Sequence, residues 1–144
     1  MKGVLDPALE RNVGQSTRSF VRIDGRGMRD RSRKLISDFL DRHPRKRHIL
    51  IAAATDTSAL GALDAVRERK REKHVAIVGQ DCIAEAMQEM GKAASPLIGP
   101  VSHEAGSYGP NLIHLGLSIL RGQTVAPYNY VAHKMVTPET LLSA

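Results

Sequence analysis

Two short apolar runs, ILIAAA (49–54) and VAIV (75–78), constrain this chain more than any other feature. Both are too short for a helix, and every position is aliphatic. Uninterrupted apolar runs of this length fit strands covered on both faces, the condition of a parallel sheet. Each run is followed by a polar pair, Thr55-Asp56 in one case and, after Gly79, Gln80-Asp81 in the other. Helical spacing then begins at once. Strand, polar turn and helix in repetition is the pattern of an α/β fold.

The rest of the chain extends that pattern. Val4–Arg11 reads as a short helix, and Ser19–Ile23 as a short strand closed by the turn Asp24-Gly25-Arg26-Gly27. Arg29–Arg42 places Leu35, Ile36, Phe39 and Leu40 on one helical face, and His43-Pro44 ends it. His48–Ala54 is a strand, and Ala59–Arg69 a helix with Leu60, Leu63 and Val66 inward. Val75–Val78 is the next strand and Cys82–Met90 the next helix. Pro96–Val101 is a strand candidate despite two prolines. The following helix starts near Glu104 or Tyr108, more firmly at Pro110, and stops at Arg121-Gly122. Tyr128–Val136 reads as a final strand. The fold class is therefore a single three-layer α/β domain over residues 1–144, with a mostly parallel sheet and helices on both faces.

Composition narrows function. With no Trp, three Tyr and two Phe, the core must be aliphatic, and aromatic platforms for stacking bases are lacking. The net charge of +6 is concentrated at Arg22–Lys34, Arg42–Arg47 and Arg67–Lys73. Acidic residues are interleaved (Asp30, Asp38, Asp41, Glu68, Glu72), which fits solvated helix faces, and no nucleic-acid motif appears. Cys82 is the only cysteine, so neither an intramolecular disulfide nor a cysteine-based zinc site can form. Its place at a helix start would favour a thiolate, although a small structural residue is the plainer reading. The six histidines have no ligand spacing, and no phosphate loop or complete dinucleotide loop occurs. The amino terminus lacks the apolar core of an export signal, and no run is long enough to span a membrane.

In parallel α/β folds, ligands bind beyond the carboxyl ends of the strands. Four polar loops lie there: 24–28, 55–58, 80–82 and 102–104. Asp56 either caps its helix or faces a ligand, and Thr55 is better placed to point into the crevice. Asp81 is either a cap or an acceptor for two neighbouring sugar hydroxyls, and Gln80 can donate and accept. His103 beside Glu104 could serve acid/base chemistry, but no nucleophile or orienting partner is evident.

The segments ILIAAATDTSALGALDAVRE, HVAIVGQD and PLIGPVSHEAGSYGPNLIHLGLSILRGQTV resemble the C-terminal lobe of sugar-binding proteins of the ribose-binding type. The same lobe forms the effector domain of lactose-repressor-type regulators. The resemblance is good over residues 50–125 and looser elsewhere, with VTPE (136–139) similar to the closing segment. It implies a solute-binding component of an ABC-type sugar uptake system. No catalysis, cofactor or metal is implied. The alternative is a regulator's effector lobe, cytoplasmic rather than periplasmic.

By position, the resemblance implies that Thr55 stands where the family usually has Asn, and that Asp56 and Asp81 match the family's aspartates. Gln80 replaces an aromatic that stacks on the sugar. His103 falls near a late polar ligand, commonly Gln, and Met28 lies in a loop that would supply another cleft residue. The ligand would be a sugar, sugar acid or polyol held by hydrogen bonds, with an ABC permease as partner of the intact protein and no nucleic acid bound by this chain itself.

The family has two lobes, so the resemblance also implies that the N-terminal lobe and a central strand are missing. A gap would then lie between Ser19–Ile23 and His48–Ala54. Buried backbone groups need partners, and Tyr128–Val136 is expected to fill the gap, from the same chain or by strand exchange with a neighbour. Self-association is expected, and sugar affinity no better than millimolar for the half-site.

Overall fold

The computed structural model describes residues 20–142. The elements run α1 (Arg29–Arg42), β1 (Ile49–Ala52), α2 (Asp56–Glu68), β2 (Val75–Gln80), α3 (Ala84–Met90), β3 (Leu97–Ser102), α4 (Tyr108–Leu120), β4 (Lys134–Met135) and α5 (Pro138–Leu142). The sheet order is β1-β2-β3-β4. The first three strands are parallel, and β4 runs antiparallel to β3 through Val101–Met135 and Ser102–Lys134. The α/β class and the mostly parallel sheet are as the sequence implies. The expected helix Val4–Arg11 lies outside the described residues.

The amphipathic faces read from the sequence form the core. Ile36, Phe39 and Leu40 of α1 pack with Leu60, Leu63 and Val66 of α2, over Val75, Ile77 and Leu97 of the sheet. The helices approach closely because Gly61 has no side chain: a Cβ there would collide with the carbonyl oxygen of Arg29. Arg29 is tied across the same crossing. Its guanidinium donates to Asp64 (2.7 Å) and to Glu85 (2.7 Å), joining the starts of α1 and α3 to α2. These carboxylates hold the guanidinium's pKa well above its ordinary value, led by the hydrogen bond to Asp64.

Other charges of the basic clusters are also paired. Arg33 meets Glu68 (2.6 Å) and Arg69 meets Asp41 (2.8 Å). Arg45, Lys46, Arg47, Lys70 and Lys73 are exposed on the turns that lead into β1 and β2. Because those strands are parallel, the five cations gather at one end of the sheet.

Glu89 of α3 is buried and receives hydrogen bonds from Arg67, from Lys92 (2.8 Å) and from Ser95 (3.1 Å). Burial works to raise its pKa, but these donors outweigh it and hold the carboxyl below the ordinary glutamate value. A depressed folded-state pKa contributes stability above the unfolded value, about 4.3, that is lost as pH falls through the folded one. Glu89→Gln is therefore expected to flatten the loss of stability below about pH 4.3, read from urea midpoints across a pH series. Parallel curves for the two proteins would contradict this.

Two expectations are corrected. Residues 20–23 of the expected strand Ser19–Ile23 form no strand, and Ser19 lies outside the described residues. Val21 and Ile23 are exposed, and strand-forming residues without a partner ladder do not make a strand. The expectation that Tyr128–Val136 fills a gap beside His48–Ala54 also fails within the chain. Only Lys134–Met135 is extended, and it pairs with β3 at the opposite side of the sheet.

One sheet face carries the core. On the other, Leu50 is 67% and Ile98 49% exposed among the described residues, so β1 is not covered on both faces as its run implies. Helix α4 has no buried residue, and Leu112, Ile113, Leu117, Ile119 and Leu120 are all exposed. It has no charged side chain. Gly122, at φ +70°, closes it with its N–H on the Ile119 carbonyl.

Candidate functional site

The parallel strands deliver residues 53–55, 80–83 and 102–104 to one end of the sheet. The register of β2 and β3 sets Gln80 beside Val101, and the Asp81 N–H bonds the Val101 carbonyl at 3.0 Å. These pairings bring three of the expected residues together. Gln80 Nε2 lies 2.7 Å from His103 Nε2, and that same ring nitrogen lies 3.3 Å from Asp81 Oδ1. The three groups are half-buried or exposed, open to solvent at the rim.

This geometry gives the imidazole two modes. A neutral ring that accepts from the Gln80 amide through Nε2 cannot donate from that nitrogen to Asp81. A ring protonated at Nε2 donates to Asp81, and Gln80 then turns its oxygen toward it. A hydroxyl, which donates and accepts at once, can bridge all three groups. His133 adds a second imidazole, its ring centroid 5.1 Å from that of His103 in an edge-on arrangement. His133 has no local signature: it reaches the rim because Lys134 pairs with Ser102, a contact between residues 32 positions apart.

The other expected residues do not join this cluster. Thr55 is the N-cap of α2; its Oγ1 accepts from the Ser58 N–H (3.2 Å) and donates to Ser58 Oγ (3.2 Å). Met28 is the N-cap residue of α1, is 57% exposed and bonds the Gly25 carbonyl through its N–H. Its loop does lie at the same end of the sheet, since a Cβ on Gly25 would stand 3.7 Å from Ser58 Oγ.

Asp56 neither caps its own helix nor reaches solvent. It is fully buried, and its Oδ2 accepts from the Ile83 N–H at 2.9 Å, at the start of α3. Burial, the largest influence, raises its pKa, with the Asp81 charge adding to it and backbone N–H groups of the 80–83 turn opposing.

That turn has an unusual backbone. Asp81 (φ +115°) and Cys82 (φ +61°) are consecutive non-glycine residues in the left-handed region. This is why α3 begins at Ala84 rather than at Cys82. It also changes the outlook for Cys82: burial first, then the Asp56 charge, pushes its thiol pKa up, so the thiolate favoured by a helix start does not arise. Among the described residues no group of three or more His, Cys, Asp or Glu side chains is placed to hold a metal ion. Nor is any helix among them long and apolar enough to cross a membrane.

Comparison with solved structures places this architecture. A 5-methylthioribose transporter solute-binding protein from Thermotoga lettingae superposes with a TM-score of 0.76 at 15% identity, over 99% of this chain and 44% of that one. An ABC transporter solute-binding protein from Agrobacterium vitis with bound allitol gives 0.69 at 24% identity, over 78% and 39%. One from Actinobacillus succinogenes with bound D-allose gives 0.71 at 19%, over 83% and 41%. The fold is that of one lobe of a periplasmic solute-binding protein. The chain spans about two-fifths of the length of these lobed relatives. No family model matches the sequence, and no curated protein matches it. In this fold, the polar cluster sits at the rim where the strands end.

Proposed function

We propose that this chain is the C-terminal lobe of a solute-binding component of an ABC-type uptake system, working in the periplasm with a permease and binding a sugar or polyol through hydroxyl hydrogen bonds. The observation that carries the reading is the Gln80–His103–Asp81 cluster at the carboxyl ends of β2 and β3. A polyhydroxy ligand supplies alternating donors and acceptors, and this cluster offers an amide, a carboxylate and an imidazole within one hydrogen-bond radius. Similar folds include proteins solved with D-allose, allitol and myo-inositol. No aromatic residue stands at position 80, so contact is by polar groups rather than by stacking on a ring. The proposed role is binding without chemistry. The exposed, uncharged α4 and the bare face around Leu50 and Ile98 favour self-association of the isolated lobe.

A half-site keeps the ordering cost of the ligand and loses half the contacts. Titration of D-allose, allitol and myo-inositol into the isotopically labelled chain is expected to shift the Gln80, Asp81 and His103 signals with affinity in the millimolar range or weaker. Asp81→Asn should weaken the response further. Absence of any shift at these residues, for all three ligands at high millimolar concentration, would overturn the reading. Micromolar affinity would show that this lobe alone forms a complete site.

A further inference from the structure

We propose that Asp56 is a positioning residue for the rim cluster: its buried carboxylate holds the Gln80–Ile83 turn in the left-handed shape that turns Asp81 and Gln80 toward His103. The inference rests on the site reading above, but its test can be run without ligand.

The starting point is an anomaly of placement. A carboxylate in the first turn of a helix ordinarily caps that helix or meets water. Asp56 does neither. Thr55 already caps α2, and Asp56 is fully buried with Oδ1 lacking a hydrogen-bond partner. Burying a carboxylate with one oxygen unpaired costs stability, so its presence is not explained by packing alone. The other oxygen, Oδ2, accepts from Ile83 N–H at 2.9 Å, 27 residues away. The backbone N–H groups of Cys82 and Gln80 also face the carboxylate, although neither closes on Oδ1.

The turn that Asp56 faces is the one that needs holding. Asp81 and Cys82 both adopt positive φ, which costs energy for any residue with a Cβ and persists only where surroundings impose it. The strand beneath is shaped to admit the carboxylate: a Cβ on Gly79 would collide with Asp56 Oδ1 and stand 3.2 Å from the Ala59 Cβ. Three elements thus converge on one side chain. The start of α2 supplies the carboxylate, the end of β2 supplies the space, and the strained turn supplies the N–H groups. The strained residue is Asp81 itself, whose Oδ1 lies 3.3 Å from His103, so the turn's shape sets the direction of the ligand-facing carboxylate.

Asp56→Ala, which removes the acceptor that an asparagine would retain, tests this in the full chain, read by amide exchange at Ile83 and by the signals of Asp81, Cys82 and the His103 ring. The expected result is a cooperatively unfolding protein whose Ile83 amide loses protection and whose 81–83 and His103 signals move, with allitol affinity about tenfold weaker or more. A second variant separates positioning from bulk stability. Glycine accepts φ near +60° without strain, so Asp56→Ala combined with Cys82→Gly is expected to return the His103 signals and allitol affinity toward wild type. Unchanged turn and His103 signals in Asp56→Ala would overturn the proposal. So would failure of both variants to fold, or a double variant that regains stability without regaining the His103 signals. If the wild-type chain binds no polyol while the turn responds as described, the sugar reading falls and the positioning role stands.

Discussion

Leu63→Ala is expected to lower the unfolding free energy by about 2–5 kcal/mol. Leu63 is fully buried at the junction of α2 with α1 and the sheet, among Ile36, Phe39, Leu40 and Ile77. The core is aliphatic and drawn almost wholly from one side of a small sheet. The cavity left by three missing carbons has few neighbours able to collapse into it, and close-packed interiors relax only in part. Small domains have about 5–15 kcal/mol in total, so the variant should lose a large share of its stability. Urea unfolding followed by far-ultraviolet circular dichroism measures it as a lower midpoint at unchanged slope. A loss below about 1 kcal/mol would mean that the α1–α2 interface is looser than the packing implies.

Gly61→Ala should destabilise as well, against the usual sign for a glycine inside a helix. In an exposed helix interior the change favours the helix by about 1 kcal/mol. Here the added methyl would meet the Arg29 carbonyl oxygen, and the Arg29 carbonyl carbon and Cα would lie only 3.0 and 3.1 Å from it. All three are backbone atoms, which cannot rotate aside. Moving α1 outward would strain the guanidinium bonds from Arg29 to Asp64 and Glu85. Overpacking of this kind costs about 1–3 kcal/mol, and the clash with backbone puts Gly61→Ala at the upper end of that range. The same urea experiment decides the sign: a stabilised Gly61→Ala would place the helices farther apart than described.

Local periodicity carried the parts of the fold that are self-contained. Arg29–Arg42 emerges with the bounds its apolar spacing implies, and Leu60, Leu63 and Val66 are buried as read. The helix face is written into the residues three and four apart, so no distant partner is needed to recognise it. The strands 49–52 and 75–80 are equally legible, because a short aliphatic run ending in a polar pair has few other uses in a chain of this composition.

Features that depend on partners were not legible. Ser19–Ile23 has the composition of a strand, yet residues 20–23 have no ladder to join among the described residues. The pairing of Lys134 with Ser102 is a two-residue contact with no local signature, and with it went the place of His133. The site divides in the same way. Gln80, Asp81 and His103 were readable because strand ends in a parallel sheet share one rim. Asp56 could be read only as a cap or a ligand contact, because its true partner, the Ile83 N–H, is set by tertiary approach of α2 to the following turn. The reversed backbone at Asp81-Cys82 left no trace either, since no glycine marks it.

The exposed cations on the turns entering β1 and β2 stand at the far end of the sheet from Asp81 and Glu104, with Arg26 of the 24–28 loop sharing the exit side. Among the described residues the entry end is thus the more densely cationic one. On a sulfonated resin or a negatively charged sensor chip this favours an upright orientation, entry turns down, with Gln80, Asp81 and His103 facing the flowing solution.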